Sequence, residues 1–267
     1  MTDNAQSATK KLYSRENTGE SFNFVRKVFH LTGLIIPAIY LFDLFDYLGL
    51  FWFKDDTRSI AFYILLGLFL FMLVIEVMRF NFRSWQQLFI NTVGKLLKEK
   101  EFDRPHGSLP FIAANAIVIG FFPKDIAVIS ILFLNFGDPS AAFFGGKFGQ
   151  VRFYNGKSLV GMIAGILGAF LSGVVFMALI SLFPSILPAS DLFLWDSGGL
   201  LPNTMIVIMA GAMAAFIFEL FSGEGIVDDN ITIPVGGGLV MCLTLAYIHG
   251  YPAAYYINYW RDLIVPL

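Results

Sequence analysis

The residues best equipped for chemistry fall in two distant stretches of the chain. The first runs Gly137-Asp138-Pro139-Ser140-Ala141-Ala142-Phe143-Phe144-Gly145-Gly146-Lys147-Phe148-Gly149 and is followed by Asn155-Gly156-Lys157-Ser158. Asp138 precedes a proline, which biases it away from helix and predicts a cap on a helix that begins at Pro139. A helix start offers free N–H groups and the positive end of a dipole, which suits phosphate. Gly145, Gly146 and Gly149 would let a ligand approach the backbone, and Lys147 and Lys157 would meet phosphate charge. The plainer reading is a cap followed by glycines that relieve helix crowding. A Walker A loop is excluded by spacing: six residues separate Gly149 from Gly156, where that motif needs four.

The second stretch holds Glu219, Glu224, Asp228, Asp229 and Asn230, and leads into Thr232-Ile233-Pro234 and Gly236-Gly237-Gly238. Its four acids have no Lys or Arg among them to balance their charge. A hard cation is their natural partner, since Mg2+ takes carboxylate oxygens together with substrate phosphates. Glu219, Glu224, Asp228, Asp229 and Asn230 are therefore the group that such a cation would engage. Capping of the last helix by Asp or Asn would explain one or two of these residues, but not the whole group. The three glycines fit close helix packing better than ligand contact.

A weaker group comprises Arg26-Lys27-Val28-Phe29-His30, Glu76 with Arg79, and Arg104-Pro105-His106-Gly107-Ser108. Lys27 and Arg26 serve equally well as topology anchors. Glu76 and Arg79 stand three apart on one helix face and can pair. His30 and His106 lack His or Cys neighbours at metal spacing, so zinc is not expected. No Gly-x-Ser-x-Gly elbow occurs, and no pattern suggests nucleic-acid binding.

The elements that must position these groups belong in lipid. The 267 residues are 57% hydrophobic and 14% charged, where a soluble domain carries about 25% charged residues. Apolar windows at roughly 29–50, 59–78, 109–122, 125–136, 159–183, 203–222 and 231–250 predict an all-α polytopic membrane protein with about seven segments. The windows 109–122 and 125–136 are short. They are expected to extend into neighbouring polar residues or to form broken helices that line a cavity. Residues 84–98 place Trp85, Leu88, Phe89, Val93, Leu96 and Leu97 at helical spacing opposite polar side chains, which predicts an amphipathic helix in the interface. Residues 1–25 read as a polar tail without a cleavable signal, and 26–267 as one domain. The single cysteine, Cys242, leaves the redox compartment open.

Orientation follows from basic residues. With a cytoplasmic N-terminus, fourteen of the 18 Lys and Arg lie on the inner side, and Lys54, Arg58, Lys124 and Arg261 on the other. Both acid-bearing stretches then share the cytoplasmic face. Tyr247, Tyr251, Tyr255, Tyr256, Tyr259 and Trp260 fit the outer aromatic belt.

Taken in order, Arg26-Lys27-x-x-His30, Glu76, the 104–108 turn, Gly137-Asp138-x-x-Ala141, Gly146-x-Phe148-Gly149, Gly156-Lys157-Ser158-Leu159-x-Gly161 and Asp228-Asp229-Asn230-x-Thr232-x-Pro234 resemble the polyprenol kinase family. That family includes dolichol kinase, phytol kinase and the CTP-dependent diacylglycerol kinases. The match covers about residues 26 to 240. The resemblance implies Mg2+-dependent transfer of a phosphoryl group from a nucleoside triphosphate, commonly CTP, to the hydroxyl of a membrane lipid alcohol. It assigns metal or hydroxyl to Asp138 and the Asp228/Asp229/Asn230 group, and phosphates to Lys147, Lys157 and Ser158. Glu219, Thr232, Lys27, His30, Glu76 and Arg104 enter as further site residues. Val160 replaces a Glu often found before the glycine, and Pro139 and Ser140 sit where some relatives differ. A cytidylyltransferase similar to CDP-diacylglycerol synthase is the second reading, although the His-Gly-Gly and Asp-Arg ending of those enzymes is absent here. A lipid transporter or binder is the third.

Overall fold

A computed structural model of the chain describes residues 32–46, 56–93, 104–152, 156–182, 192–196, 199–222, 228–257 and 263. Its helices are α1 (Ile35–Leu41), α2 (Asp56–Asn81), α3 (Arg83–Val93), α4 (Ser108–Phe121), α5 (Lys124–Leu132), α6 (Asp138–Phe148), α7 (Leu159–Leu182), α8 (Thr204–Phe221), α9 (Asp229–His249) and α10 (Ala254–Ile257). Trp195–Asp196 and Gly199–Leu200 form a two-residue antiparallel pair, β1 and β2, with Trp195 opposite Leu200.

Among the described residues five helices are long and apolar enough to cross a membrane: Thr57–Asn81, Lys124–Phe148, Leu159–Leu182, Thr204–Phe221 and Asp229–His249. The protein is a polytopic membrane protein built from helices, but the expected count of about seven segments is not what these residues give. The window 29–50, described only from 32 to 46, yields the seven-residue α1. The window 109–122 yields the 14-residue α4, short of the ~20 residues that span a bilayer. The window 125–136 instead extends into its polar neighbours, as one of the two expectations had it. α5 passes through a π-helical turn, Phe133–Gly137, straight into α6 and makes one 25-residue span.

That continuity corrects the expected helix start at Pro139. Gly137 and Asp138 both have right-handed helical backbone angles, and no side chain caps α6. Pro139 has no N–H to give the preceding turn and would ordinarily break an α-helix. The wider π turn immediately before it accommodates the interruption, so the chain need not unwind. No free row of N–H groups therefore faces a phosphate at this point.

At one end of the bundle, polar side chains are buried as fasteners. Lys124 Nζ lies 2.5 Å from Asp43 Oδ1, and Arg58 donates to the carbonyls of Ile119 and Phe122. Asp125 accepts from the backbone N–H groups of Phe193 and Leu194, tying the β-hairpin region to α5. Two bases assigned to the outer side on charge grounds, Arg58 and Lys124, are thus buried hydrogen-bonding groups. Tyr247, Tyr251 and Tyr255 are exposed as a belt requires, whereas Tyr256 is buried and its hydroxyl meets His249 Nδ1 at 2.9 Å.

The amphipathic helix expected over 84–98 is α3, described as far as Val93; the rest of that range lies outside the described residues. A one-residue break at Phe82 separates it from α2. Trp85 and Leu88 are exposed on it, as suits a helix lying in the membrane surface.

Candidate functional site

Three helix ends meet at the opposite end of the bundle from Lys124. Their approach depends on missing side chains. A Cβ on Gly161 of α7 would stand 3.1 Å from the Ala141 carbonyl oxygen and 3.2 Å from Cα of Gly145 on α6, so these helices touch backbone to backbone. Gly211 of α8 likewise lies against Met241 and the Gly237 carbonyl of α9. Tight contact between α6, α7, α8 and α9 then sets the distance between the acids that they carry.

Asp138 at the start of α6, Glu219 in the last turn of α8 and Asp229 at the start of α9 each bring a carboxylate oxygen within 4.8 Å of the other two. Glu219 is buried, and Asp138 and Asp229 are half-buried. Three carboxylates at this separation repel one another strongly in a low-dielectric setting. A small hard cation between them reverses the sign of that interaction. Oxygens on opposite sides of an octahedral Mg2+ stand about 4.2 Å apart, so the donor set fits such an ion with small side-chain movements. Lys157, just before α7, pairs with Glu219.

Asp228 occupies a different position from the one expected. It is the N-cap of α9: its Oδ1 accepts from the Asn230 backbone N–H at 2.9 Å, and the Asn230 side-chain amide donates to the same oxygen. Burial pushes the Asp228 carboxyl above the usual carboxylate range, Asp229 beside it acts in the same direction, and the Asn230 donors oppose them. Asp228 and Asn230 therefore fix the helix start that carries Asp229.

The expected phosphate grip divides in the same manner. Ser158 is buried, and its Oγ accepts from the Gly161 backbone N–H as the cap of α7. A Cβ on Gly149 would collide with that hydroxyl, and one on Gly145 would press on Gly161, so both glycines serve the α6–α7 contact. Gly146 and Lys147 are exposed. Lys147 Nζ lies 5.3 Å from the centre of the Phe148 ring. Gly156 has a left-handed φ of 70° and turns the chain just before Lys157, while Arg152 donates to its carbonyl.

Glu76 and Arg79 pair as expected at 2.5 Å, both buried, and Arg79 also donates to the Arg104 carbonyl and lies over the rings of Phe80 and Phe89. This group ties α2 and α3 to the turn before α4, where His106 Nδ1 stands 2.7 Å from Ser108 Oγ. Glu76 is not one of the three acids whose carboxylates converge. Lys27, His30 and Glu224 lie outside the described residues.

Glu219, placed among the lesser candidates from the sequence, converges with Asp138 and Asp229, and Asn135 is a buried amide that the sequence reading passed over. Asn135 is 5% exposed and stands three residues before Asp138. A buried amide within an apolar run, one turn from an acid, was the available signal.

No protein-family model and no solved structure matches the chain. Three curated proteins similar to it are all named CTP-dependent diacylglycerol kinase 1. The Eremothecium gossypii protein is 26% identical over 229 residues, covering 83% of this chain and 67% of the relative. The Saccharomyces cerevisiae protein is 28% identical over 222 residues, covering 81% and 71%. The Schizosaccharomyces pombe protein is 31% identical over 176 residues, covering 64% and 74%.

Proposed function

The chain belongs to the polyprenol and diacylglycerol kinase family and is a lipid kinase, and from that premise we propose that it transfers the γ-phosphoryl group of CTP to the hydroxyl of a membrane lipid, diacylglycerol first among them, at the Asp138/Glu219/Asp229 cluster. The convergence of those three carboxylates from three helices carries this reading. Mg2+ held there would neutralise phosphate charge as the phosphoryl group moves. Asp138, Glu219 and Asp229 are its proposed ligands; Asp228 and Asn230 are engaged in the cap of α9, and Glu224 lies outside the described residues.

Phosphoryl transfer asks little covalent chemistry of a protein and much positioning. The lipid oxygen forms a bond to the γ-phosphorus as the bond from that phosphorus to the bridging oxygen breaks, and the hydroxyl proton passes to a carboxylate of the cluster. Lys157, already at the cluster through Glu219, meets the phosphate oxygens. Lys147, exposed at the last turn of α6, is the second phosphate contact. Asp228 and Asn230 keep Asp229 in place. The charge asymmetry of the chain supports a cytoplasmic position for this end of the bundle and for the N-terminus.

The test is incubation of purified protein with CTP labelled at either the γ or the α phosphate, together with diacylglycerol or a polyprenol. Label in lipid from the γ position is the expected result. Label from the α position identifies a cytidylyltransferase instead, and no label in any lipid points to a binder or transporter.

A further inference from the structure

Several helical hydroxyls inside this bundle bond back to their own helix. Ser130, Ser140, Ser172, Ser181 and Thr244 each donate to a carbonyl three or four residues back. Thr232 does not. The carbonyl in reach, that of Asp228, already accepts the backbone N–H groups of Ile231 and Thr232, and Thr232 Oγ1 is buried with no partner among the described residues. Two amide oxygens share that condition. Asn115 and Asn135 spend their Nδ2 groups on the Phe111 and Ile131 carbonyls, and their Oδ1 atoms are left buried without a donor. Asn115 is 1% exposed. A bare acceptor is expensive in a membrane interior, where lipid chains supply no hydrogen bond.

These three residues come from α4, the π turn and α9, and helical rise puts each of them on the cluster side of one shared contact. A Cβ on Gly238 of α9 would meet both the ring of Phe122, just past α4, and Ser130 Oγ of α5, so α9 touches both segments there. From that contact Asn115 is seven residues back along α4, Asn135 five residues on, and Thr232 six residues back along α9. Because α5 turns back on α4 after Phe122 and Pro123, all three displacements run toward the acid cluster, by about 7 to 10 Å at helical rise. Thr232 is then one turn beneath Asp229, and Asn135 just beneath Asp138.

We infer that Asn115, Asn135 and Thr232 form the seat of the lipid's polar head, its hydroxyl donating to an amide oxygen while Thr232 donates to a neighbouring ester carbonyl. The inference rests on the lipid-kinase reading for the identity of the ligand. It accounts for two of the three unmet hydrogen bonds with one molecule, and it sets the hydroxyl between the apolar interior and the acid cluster where that hydroxyl takes up the phosphoryl group.

Binding of tritiated dioctanoylglycerol to the purified full-length protein in detergent, without nucleotide, tests the seat independently of turnover. Thr232→Val and Asn135→Leu are expected to weaken binding about tenfold or more, Thr232→Ser to restore it, and CTP binding to stay as in the parent. A polyprenol, which has no ester carbonyl, should be little affected by Thr232→Val. Unchanged dioctanoylglycerol binding in both variants overturns the inference, and so does equal loss of CTP binding, which would mark a structural role. Asn115→Leu with higher thermal stability and unaltered lipid binding would also overturn it, marking a buried-water site. Thr232-dependent binding without phosphorylation would leave the seat in place and remove the kinase reading.

Discussion

Lys157 and Glu219, brought together from the segment before α7 and the last turn of α8, form an ion pair at the edge of the acid cluster. The lysine thus stands at the cluster with a carboxylate for a partner. On the proposed reading it exchanges that partner for phosphate oxygens when nucleotide binds.

Lys157→Ala is therefore expected to lower kcat/KM for CTP by about tenfold or more, equivalent to ~1.4 kcal/mol of transition-state interaction. The KM for lipid should hold. Steady-state kinetics at saturating lipid decide it, and a raised lipid KM with normal CTP kinetics would refute the assignment.

Asp138→Asn keeps side-chain size and removes one charge from the cluster. Because Asp138 lies within a continuous helix and caps nothing, the variant should fold and insert normally. Turnover should fall by at least ~10²-fold, and Mn2+ binding followed by electron paramagnetic resonance should weaken. Near-normal Mg2+-dependent turnover in a well-folded variant would falsify the site.

Neighbouring acids at the start of α9 should separate cleanly. Asp228→Ser exchanges one good N-cap for another and is expected to retain most activity, whereas Asp228→Ala should cost about 1 kcal/mol of stability. Asp229→Asn should instead lose activity by ~10²-fold with little change in melting temperature. Equal activity losses in Asp228→Ser and Asp229→Asn would show that the cap residue itself touches the reacting groups.

Topology is open to labelling. In a Cys242→Ala background, single cysteines at the exposed positions 147 and 152 should resist a membrane-impermeant maleimide added to intact cells and react after permeabilisation. Ready labelling of both from outside would reverse the orientation.

Much of the site was legible because acids are costly in lipid. Asp138 and Asp229 stood out for that reason, and the structure joins them. Sequence could not show how the work divides within Asp228-Asp229-Asn230, since capping and ligation call for the same residue types; only the backbone turn at Asp228 separates them. The rule that a residue before proline leaves the helix failed at Asp138, because a π turn absorbed the proline. Spans α7, α8 and α9 could be read from long apolar runs. The windows 109–122 and 125–136 could not, since one stays short and the other borrows a polar stretch whose glycines serve tertiary contact.

The π turn at Phe133–Gly137 also has an angular consequence. One surplus residue there advances everything after it by about 100° around the axis relative to an uninterrupted α-helix. The buried flank of α5 and the bearing of Asp138 are consequently two settings of one rod, joined by a fixed offset. The offset depends on the number of residues in the turn, so that count is part of the site. Excising any one of the five would swing Asp138 about a quarter turn away from Glu219 and Asp229 without altering a single acid.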